Sequence, residues 1–466
     1  MPDPVSKPEL IAVNKPLAQL LDIDPDWLAS NEGISMLAGN TLPPSSEPIA
    51  MVYAGHQFGS WNPQLGDGRA VLLGEVVGKD SLRYDIQLKG SGQTPYSRMG
   101  DGRAPLGPVL REYIVSEAMA SLNVPTSRSL AAVTTGDPVY RETALPGAVL
   151  ARVARSHIRI GTTQFFAARQ DVEALKVLVE HVIARHYPEA AENPNPALAM
   201  LDKVMQAQAN LVANWQMLGF IHGVMNTDNM LLSGETIDYG PCAFMDTYDP
   251  ETVFSSIDHG GRYAYRNQPG IAHWNIACLA QALIPVIADE EETAVGQAKE
   301  ALDQFPTYFL EANLKGLQGK LGLKTSAKDD DPLAKGFLDL LEKEEADFTL
   351  AFRRLAEISG PEPKLSVRSI FDFSEVYDAW LSAWRERCAS ESFSNRQAVM
   401  LNTNPAIIPR NHLVEEAIHA ALDEDFSVFE ALNEVLRNPF SMRGTDLKFA
   451  LPPRSDQMVS QTFCGT

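Results

Sequence analysis

The spacing of apolar residues divides the chain into two unlike parts. Between about residues 50 and 150, short β-branched runs lie between glycine-rich turns. These are Ala70-Val71-Leu72-Leu73-Gly74-Glu75-Val76-Val77, Arg83-Tyr84-Asp85-Ile86-Gln87-Leu88, Ala131-Ala132-Val133-Thr134 and Ala148-Val149-Leu150-Ala151-Arg152-Val153. Near-alternating runs of this length, bounded by turn residues, predict strands. One helical pattern, Leu110 to Met119, falls among them. From about residue 171 the period becomes helical. Val172, Leu175, Leu178, Val179 and Val182 share one face, and Leu198, Leu201, Val204, Met205, Leu211, Val212, Trp215 and Leu218 form a longer stripe. Helices are expected to continue past 290, broken at Lys328-Asp329-Asp330-Asp331-Pro332 and around Pro405 to Pro409, with Ser374 as an N-cap before Glu375. Residues 1–50, rich in Pro, Ser and small side chains, read as an extension with short helical patches, packed on the strand-rich part.

Strands, one helix, strands and then helices is the element order of a protein kinase. The expected fold is therefore α+β and bilobal, protein-kinase-like, with an N-terminal extension (1–50), an N-lobe (51–155), a C-lobe (156–300) and a helical C-terminal region (301–466). Composition narrows the function. Hydrophobic residues make up 45% of the 466, enough for a sizeable core, and the formal net charge is −21. Such an acidic chain lacks the Lys and Arg excess that nucleic acid demands, and anionic membranes disfavour it too. The N-terminus shows no basic start followed by an apolar run, and the apolar stretch Ile276 to Ile287 is too short to span a bilayer. Four cysteines with no CxxC pair give neither a disulfide framework nor a zinc site. A cytoplasmic protein is the expectation.

The chemistry concentrates in His222-Gly223-Val224-Met225-Asn226-Thr227-Asp228-Asn229 and Ile237-Asp238-Tyr239-Gly240. Kinase catalytic loops place a base Asp two residues after the His and a metal-binding Asn five residues after that Asp; a metal Asp follows in a later loop. Here Asn229 and Asp238 stand in register, whereas the base position is Val224, which cannot accept a proton. Asp228 is the nearest replacement carboxylate. Asn and Asp oxygens suit a hard divalent cation completed by nucleotide phosphates. A strand at Met230-Leu231-Leu232 followed by a turn would return Asp238 to Asn229. His222 reads as a buried structural histidine. Upstream, Gly55-His56-Gln57-Phe58-Gly59 and Gly66-Asp67-Gly68-Arg69 are either a phosphate-approaching glycine loop or ordinary hairpin turns. Lys89, at a strand end, stands where kinases keep their phosphate-pairing Lys, and Glu112 on the next helix is in order to hold it. Arg98, Arg103, Arg111, Arg152, Arg155 and Arg159 form a basic cluster that is either an anion site, Arg152 and Arg159 foremost, or surface ion pairing. Gly-Asp-Gly-Arg occurs twice, at 66–69 and 100–103. Cys464 lies on the C-terminal tail and Cys242 just after the Asp-Tyr-Gly loop; they are a possible pair or inert thiols.

Together with Tyr53-Ala54-Gly55-His56-Gln57-Phe58-Gly59, Gln87-Leu88-Lys89-Gly90-Ser91-Gly92-Gln93-Thr94-Pro95-Tyr96-Ser97-Arg98 and Asp238-Tyr239-Gly240-Pro241, these strings resemble the selenoprotein O or YdiU-type family of protein adenylyltransferases over nearly the whole chain. The resemblance implies a pseudokinase fold that binds ATP flipped, so that the α-phosphate faces the acceptor and AMP passes to Ser, Thr or Tyr hydroxyls of proteins. It implies nucleotide contacts from Gly66, Gly68, Arg69, Lys89, Asp101, Gly102, Arg152 and Arg159. It also implies Mg²⁺ or Mn²⁺ on Asn229 and Asp238, Asp228 as proton acceptor, Glu112 supporting Lys89, and a redox role for a tail cysteine. A phosphotransferase using Asp228 as base, or a non-catalytic nucleotide-binding scaffold, is the alternative. UMP in place of AMP stays open.

Overall fold

The structure, a computed structural model, describes residues 1–360, 366–391 and 395–463. It is a mixed α/β architecture whose six-stranded antiparallel sheet is built from β1 (Glu9–Val13), β4 (Ala70–Val77), β5 (Arg83–Lys89), β6 (Ala104–Pro105), β7 (Arg128–Tyr140) and β8 (Ala144–Ala154), in the order β1-β7-β8-β5-β4 with β6 paired to β8. The hairpin β2 (Val52–Gln57) and β3 (Ser60–Gly66) stands apart as its own two-stranded sheet. The expected runs at 70–77, 83–88, 131–134 and 148–153 all lie within strands, and the helical pattern at 110–119 lies within the helix Leu106–Ser121.

The first fifty residues do more than pack on the sheet. Glu9–Val13 pairs antiparallel with β7 and forms its edge strand. The helices Lys15–Leu20, Pro25–Leu28 and Asn31–Leu37 then cover the sheet, burying Leu17, Leu28 and Leu37 against Leu73, Leu88, Leu130 and Val149. With only five residues, β1 was too short for its alternation to stand out.

The helix Pro196–Leu218 buries Leu201, Val204, Met205, Leu211, Val212 and Trp215 in the largest core, which also takes Leu175, Val179 and Val182 of the helix Val172–His186. The helix Gln268–Ile287 packs there too. The helical segment Tyr265–Ile287 is, by length and composition, long and apolar enough to cross a membrane. This corrects the expectation of a stretch too short to do so. Ala272, Ile276, Leu279 and Leu283, spaced three to four residues apart, are buried in the protein core along one face.

The C-terminal helices Asn411–Leu422 and Ser427–Leu436 share a core with Leu106–Ser121, joining Val414, Ile418, Phe429 and Leu432 to Val109, Leu110, Tyr113 and Ile114. Leu106–Ser121 is thus held between the sheet and these helices. Arg111 belongs to this junction: it donates to Asn411 Oδ1 at 3.1 Å and pairs with Glu415. Ser374 precedes a short 3₁₀ turn, Glu375–Tyr377, but makes no side-chain cap bond.

Candidate active site

Sheet register brings the basic residues together. Lys89 lies opposite Ala70 and Leu150, and Gln87 lies opposite Arg152. Alternation puts Gln87 and Lys89 on one face, and pairing sets Arg152 beside them. From below, Leu106–Ser121 presents Glu112. The Lys89 Nζ donates to Glu112 Oε2 at 2.5 Å and to Asp238 Oδ1 at 2.9 Å. Arg152 Nε donates to Glu112 Oε1 at 2.6 Å, and its Nη2 lies 3.8 Å from Asp238 Oδ1. Burial alone would raise both carboxyls. For Glu112 the Arg152 and Lys89 charges outweigh it, and for Asp238 the Lys89, Arg152 and Arg69 charges do, so both are held below the usual carboxylate range. The result is an ionised square of two cations and two anions.

The helix Pro196–Leu218 ends at Gly219 in the left-handed conformation (φ 68°), which turns the chain into β9 (Phe220–Ile221), paired with β10 (Ala243–Phe244). His222 follows. It is buried, donates from Nε2 to the Ile237 carbonyl at 2.9 Å, and is kept neutral by that burial, as a structural histidine should be. Met230 to Leu232 does not form a strand. Isolated bridges, Met230 to Thr236 and Leu231 to Arg159, do its work instead. The turn between them returns the chain to Asp238, whose φ of 67° is tolerated by Asp and Asn better than by most residues. Asn229 donates through Nδ2 to the Val224 carbonyl at 3.0 Å, which leaves its amide oxygen as the free end.

The β2–β3 hairpin grips the Asn226-Thr227-Asp228 loop residue by residue. The His56 N–H donates to Thr227 Oγ1 at 2.8 Å, Gln57 Nε2 to Asp228 Oδ2 at 2.9 Å, and the Phe58 N–H to Asn226 Oδ1 at 3.0 Å. Gly55 to Gly59 therefore forms a hairpin turn that clamps residues 226–228. Asp228 is buried; burial raises its carboxyl above the usual range, partly offset by Gln57 and Arg159. Its Oδ1 has no hydrogen-bond partner among the described residues. A buried carboxylate oxygen without a donor is costly unless a ligand completes it.

One cavity of about 890 Å³ joins these parts, within the range of ligand sites. It is lined by Gly66, Gly68, Arg69, Lys89, Asp101, Gly102, Arg152, Arg159, Asp228, Asn229 and Asp238, and Val224 opens onto it. Glu112 lies behind it. Both Gly-Asp-Gly-Arg strings border it in full. Of the basic cluster, Arg98 and Arg103 also line the cavity, whereas Arg111 and Arg155 do not. Seven Lys and Arg side chains face four aspartates there, a local excess of positive charge in an acidic protein.

Several participants carried no sequence signal of their own. Asp67 receives Arg159 Nη1 and Gln87 Nε2, each at 3.0 Å, and the Arg159 guanidinium lies 4.4 Å from the Tyr53 ring centroid. Arg141, near the tip of the β7–β8 hairpin, grips Asp101 with two bonds of 2.9 and 3.1 Å. Gly66 is required by packing: a Cβ there would meet the Tyr96 ring at 2.2 Å. At Gly102 (φ 64°) a Cβ would sit 2.0 Å from the Gly92 carbonyl oxygen, so no side chain fits.

Among the described residues no three His, Cys, Asp or Glu side chains gather to hold a metal. Asn229 and Asp238, both on the cavity wall, carry oxygen donors, as do Asp67, Asp101 and Asp228. Cys464 lies outside the described residues. Cys242 is buried and has no disulfide partner among the described residues, and burial pushes its thiol up to about 12.

Comparison with known proteins decides the family. The family model described as protein adenylyltransferase SelO matches residues 2–437. The chain belongs to the SelO family. Its relatives include proteins named protein nucleotidyltransferase YdiU from Bradyrhizobium sp. (strain BTAi1 / ATCC BAA-1182), 56% identical, and Rhodopseudomonas palustris (strain HaA2), 57% identical; each comparison covers 100% of this chain and 95% of the relative. As a SelO-family member the protein is a nucleotidyltransferase, and the cavity above is its candidate catalytic centre.

Proposed function

We propose that the protein adopts a bilobal pseudokinase fold and transfers AMP from ATP to Ser, Thr or Tyr hydroxyls of other proteins, in a metal-dependent reaction. One observation carries this reading. Lys89, Arg152 and Asp238 line the cavity with Glu112 bonded behind them, Val224 stands where a kinase keeps its base, and Asp228 carries the oxygen that lacks a donor among the described residues.

In the reaction the acceptor hydroxyl attacks the α-phosphorus of ATP, the bond to the bridging oxygen breaks, and pyrophosphate departs. Asp228 takes the hydroxyl proton on the oxygen that lacks a donor, while Gln57 fixes the other oxygen. Negative charge builds on the leaving pyrophosphate, and Arg69, Lys89, Arg152 and Arg159 supply positive charge for it. A nucleotide bound in the flipped sense, α-phosphate toward Asp228, suits a cavity in which Asp228 carries an oxygen without a donor and seven cations also line the wall. Asn229 and Asp238 would hold Mg²⁺ or Mn²⁺, whose charge neutralises phosphate oxygens and helps align them. Alignment and charge supply most of the acceleration, so the reaction survives without a base at the kinase position.

Asp228→Asn tests the assignment. It keeps the size and the acceptor for Gln57 but cannot take a proton. Transfer rate is expected to fall about 10²- to 10⁴-fold with ATP affinity, read by calorimetry, largely kept. An undiminished rate would remove Asp228 from the role.

A further inference from the structure

Beside the cavity mouth, on the Asp228 side, lies a shelf of aromatic side chains around one guanidinium. Arg262 stands 4.8 Å from the Trp274 ring centroid and 5.7 Å from that of Tyr263. It packs over the open side of Gly59, where a Cβ would meet its Cζ at 3.5 Å. The His56 ring sits 5.0 Å from Trp61 and 5.1 Å from Trp274. Trp61 and Ile257 are 43% and 51% exposed. The shelf is fixed to the catalytic loop: Tyr263 donates its hydroxyl to Asn226 at 2.6 Å and packs edge-on against Phe58 at 5.1 Å. Gln57, Phe58 and Ile257 carry it into the cavity wall.

The charge of Arg262 is unanswered. Among the described residues no carboxylate forms an ion pair with it, and its Nε is buried without a hydrogen-bond partner. Its nearest acidic neighbour in sequence, Asp258, spends both oxygens on the backbone N–H groups of Arg262 and Tyr263, at 2.9 and 2.7 Å. What sets Arg262 apart from other arginines without an ion pair among the described residues is its setting, between the Trp274 and Tyr263 rings. Arg262 does not line the nucleotide cavity, so the triphosphate has its own cations and leaves this one over. A stacked Arg ringed by Trp and Tyr is the composition of a protein-binding hot spot, and its planar fork matches a carboxylate.

We propose that this shelf binds the acceptor protein, and that it selects segments carrying an Asp or Glu close to the acceptor hydroxyl together with an apolar side chain for the Trp61 and Ile257 surface. The inference rests on the adenylyl-transfer reading above and names its substrate class.

The test uses the full-length protein, ATP labelled at the α-phosphate and peptides bearing one Ser, Thr or Tyr flanked by Glu, Ala or Lys. Wild type should show a KM about tenfold lower for Glu-flanked peptides than for Ala-flanked ones. Arg262→Ala should erase that preference with KM for ATP unchanged within about twofold. Arg262→Glu should turn the preference toward Lys-flanked peptides, a gain that damage to the fold cannot produce. Label transfer without any charge preference in wild type, or an acidic preference that survives in Arg262→Glu, would overturn the shelf and leave adenylyl transfer standing. Absence of α-label transfer by wild type to any peptide or protein would instead overturn the adenylyl-transfer reading, and the shelf with it.

Discussion

Asp238→Ala should lower nucleotidyl transfer by about 10²- to 10³-fold, the size seen when one charge-stabilising group is removed from an active site. The fold should survive. Asp238 is the more accessible carboxylate of the ionised square, its side chain 29% exposed against 2% for Glu112, and Glu112 still answers both Lys89 and Arg152 without it. Nucleotide affinity should not collapse either, because Lys89 and Arg152 lose a competitor for phosphate. The positive φ of Asp238 adds a backbone cost to alanine. Asp238→Asn, which tolerates that conformation, is therefore the cleaner companion. Incorporation of α-label, measured beside ATP binding, should show both variants binding and neither transferring. A variant that transfers at the wild-type rate would remove Asp238 from the reaction.

Glu112→Gln should have the largest effect on stability. Its carboxylate is buried and receives Lys89 on one oxygen and Arg152 on the other. Neutralising it leaves two cations facing only Asp238, and breaking a buried pair typically costs about 3–5 kcal/mol. Its helix also carries the core shared with the C-terminal helices, so the loss should spread beyond the cavity. Urea unfolding should show the destabilisation, with transfer falling alongside it. Adding Lys89→Met should recover part of the stability and none of the activity. If Glu112→Gln unfolds at the wild-type midpoint, the square is not ionised as argued.

What the sequence disclosed depended on how local the signal was. The four strands around Lys89 and Arg152 were legible because each buries residues at short, regular spacing between turns. The helix entering His222 was legible because its apolar stripe runs for six turns. Strand β1 was not, since five residues show too little alternation, and its place in the sheet depends on pairing with β7 more than a hundred residues away. Met230 to Leu232 was read as a strand on composition; in the fold those apolar residues are buried at isolated bridges, with Leu231 next to Arg159.

The site followed the same division. Lys89, Glu112, Asn229 and Asp238 stood out because their order along the chain is itself informative. Gln57 and Asp67 lay inside strings already noticed, yet their roles depend on partners far along the chain, Asp228 for one and Arg159 for the other. Arg141 gave no sign, for nothing near it in sequence distinguishes it; only the β7–β8 hairpin carries it to Asp101. The repeated Gly-Asp-Gly-Arg string showed in the sequence, but that both copies border the same cavity is a property of the fold.

The most direct test of adenylyl transfer is a paired incubation of the protein and a cell lysate with ATP labelled at either the α- or the γ-phosphate. Label from the α position should become covalently attached to protein hydroxyls, and label from the γ position should leave as pyrophosphate. Protein labelled from the γ position alone would contradict the account and make the enzyme a kinase.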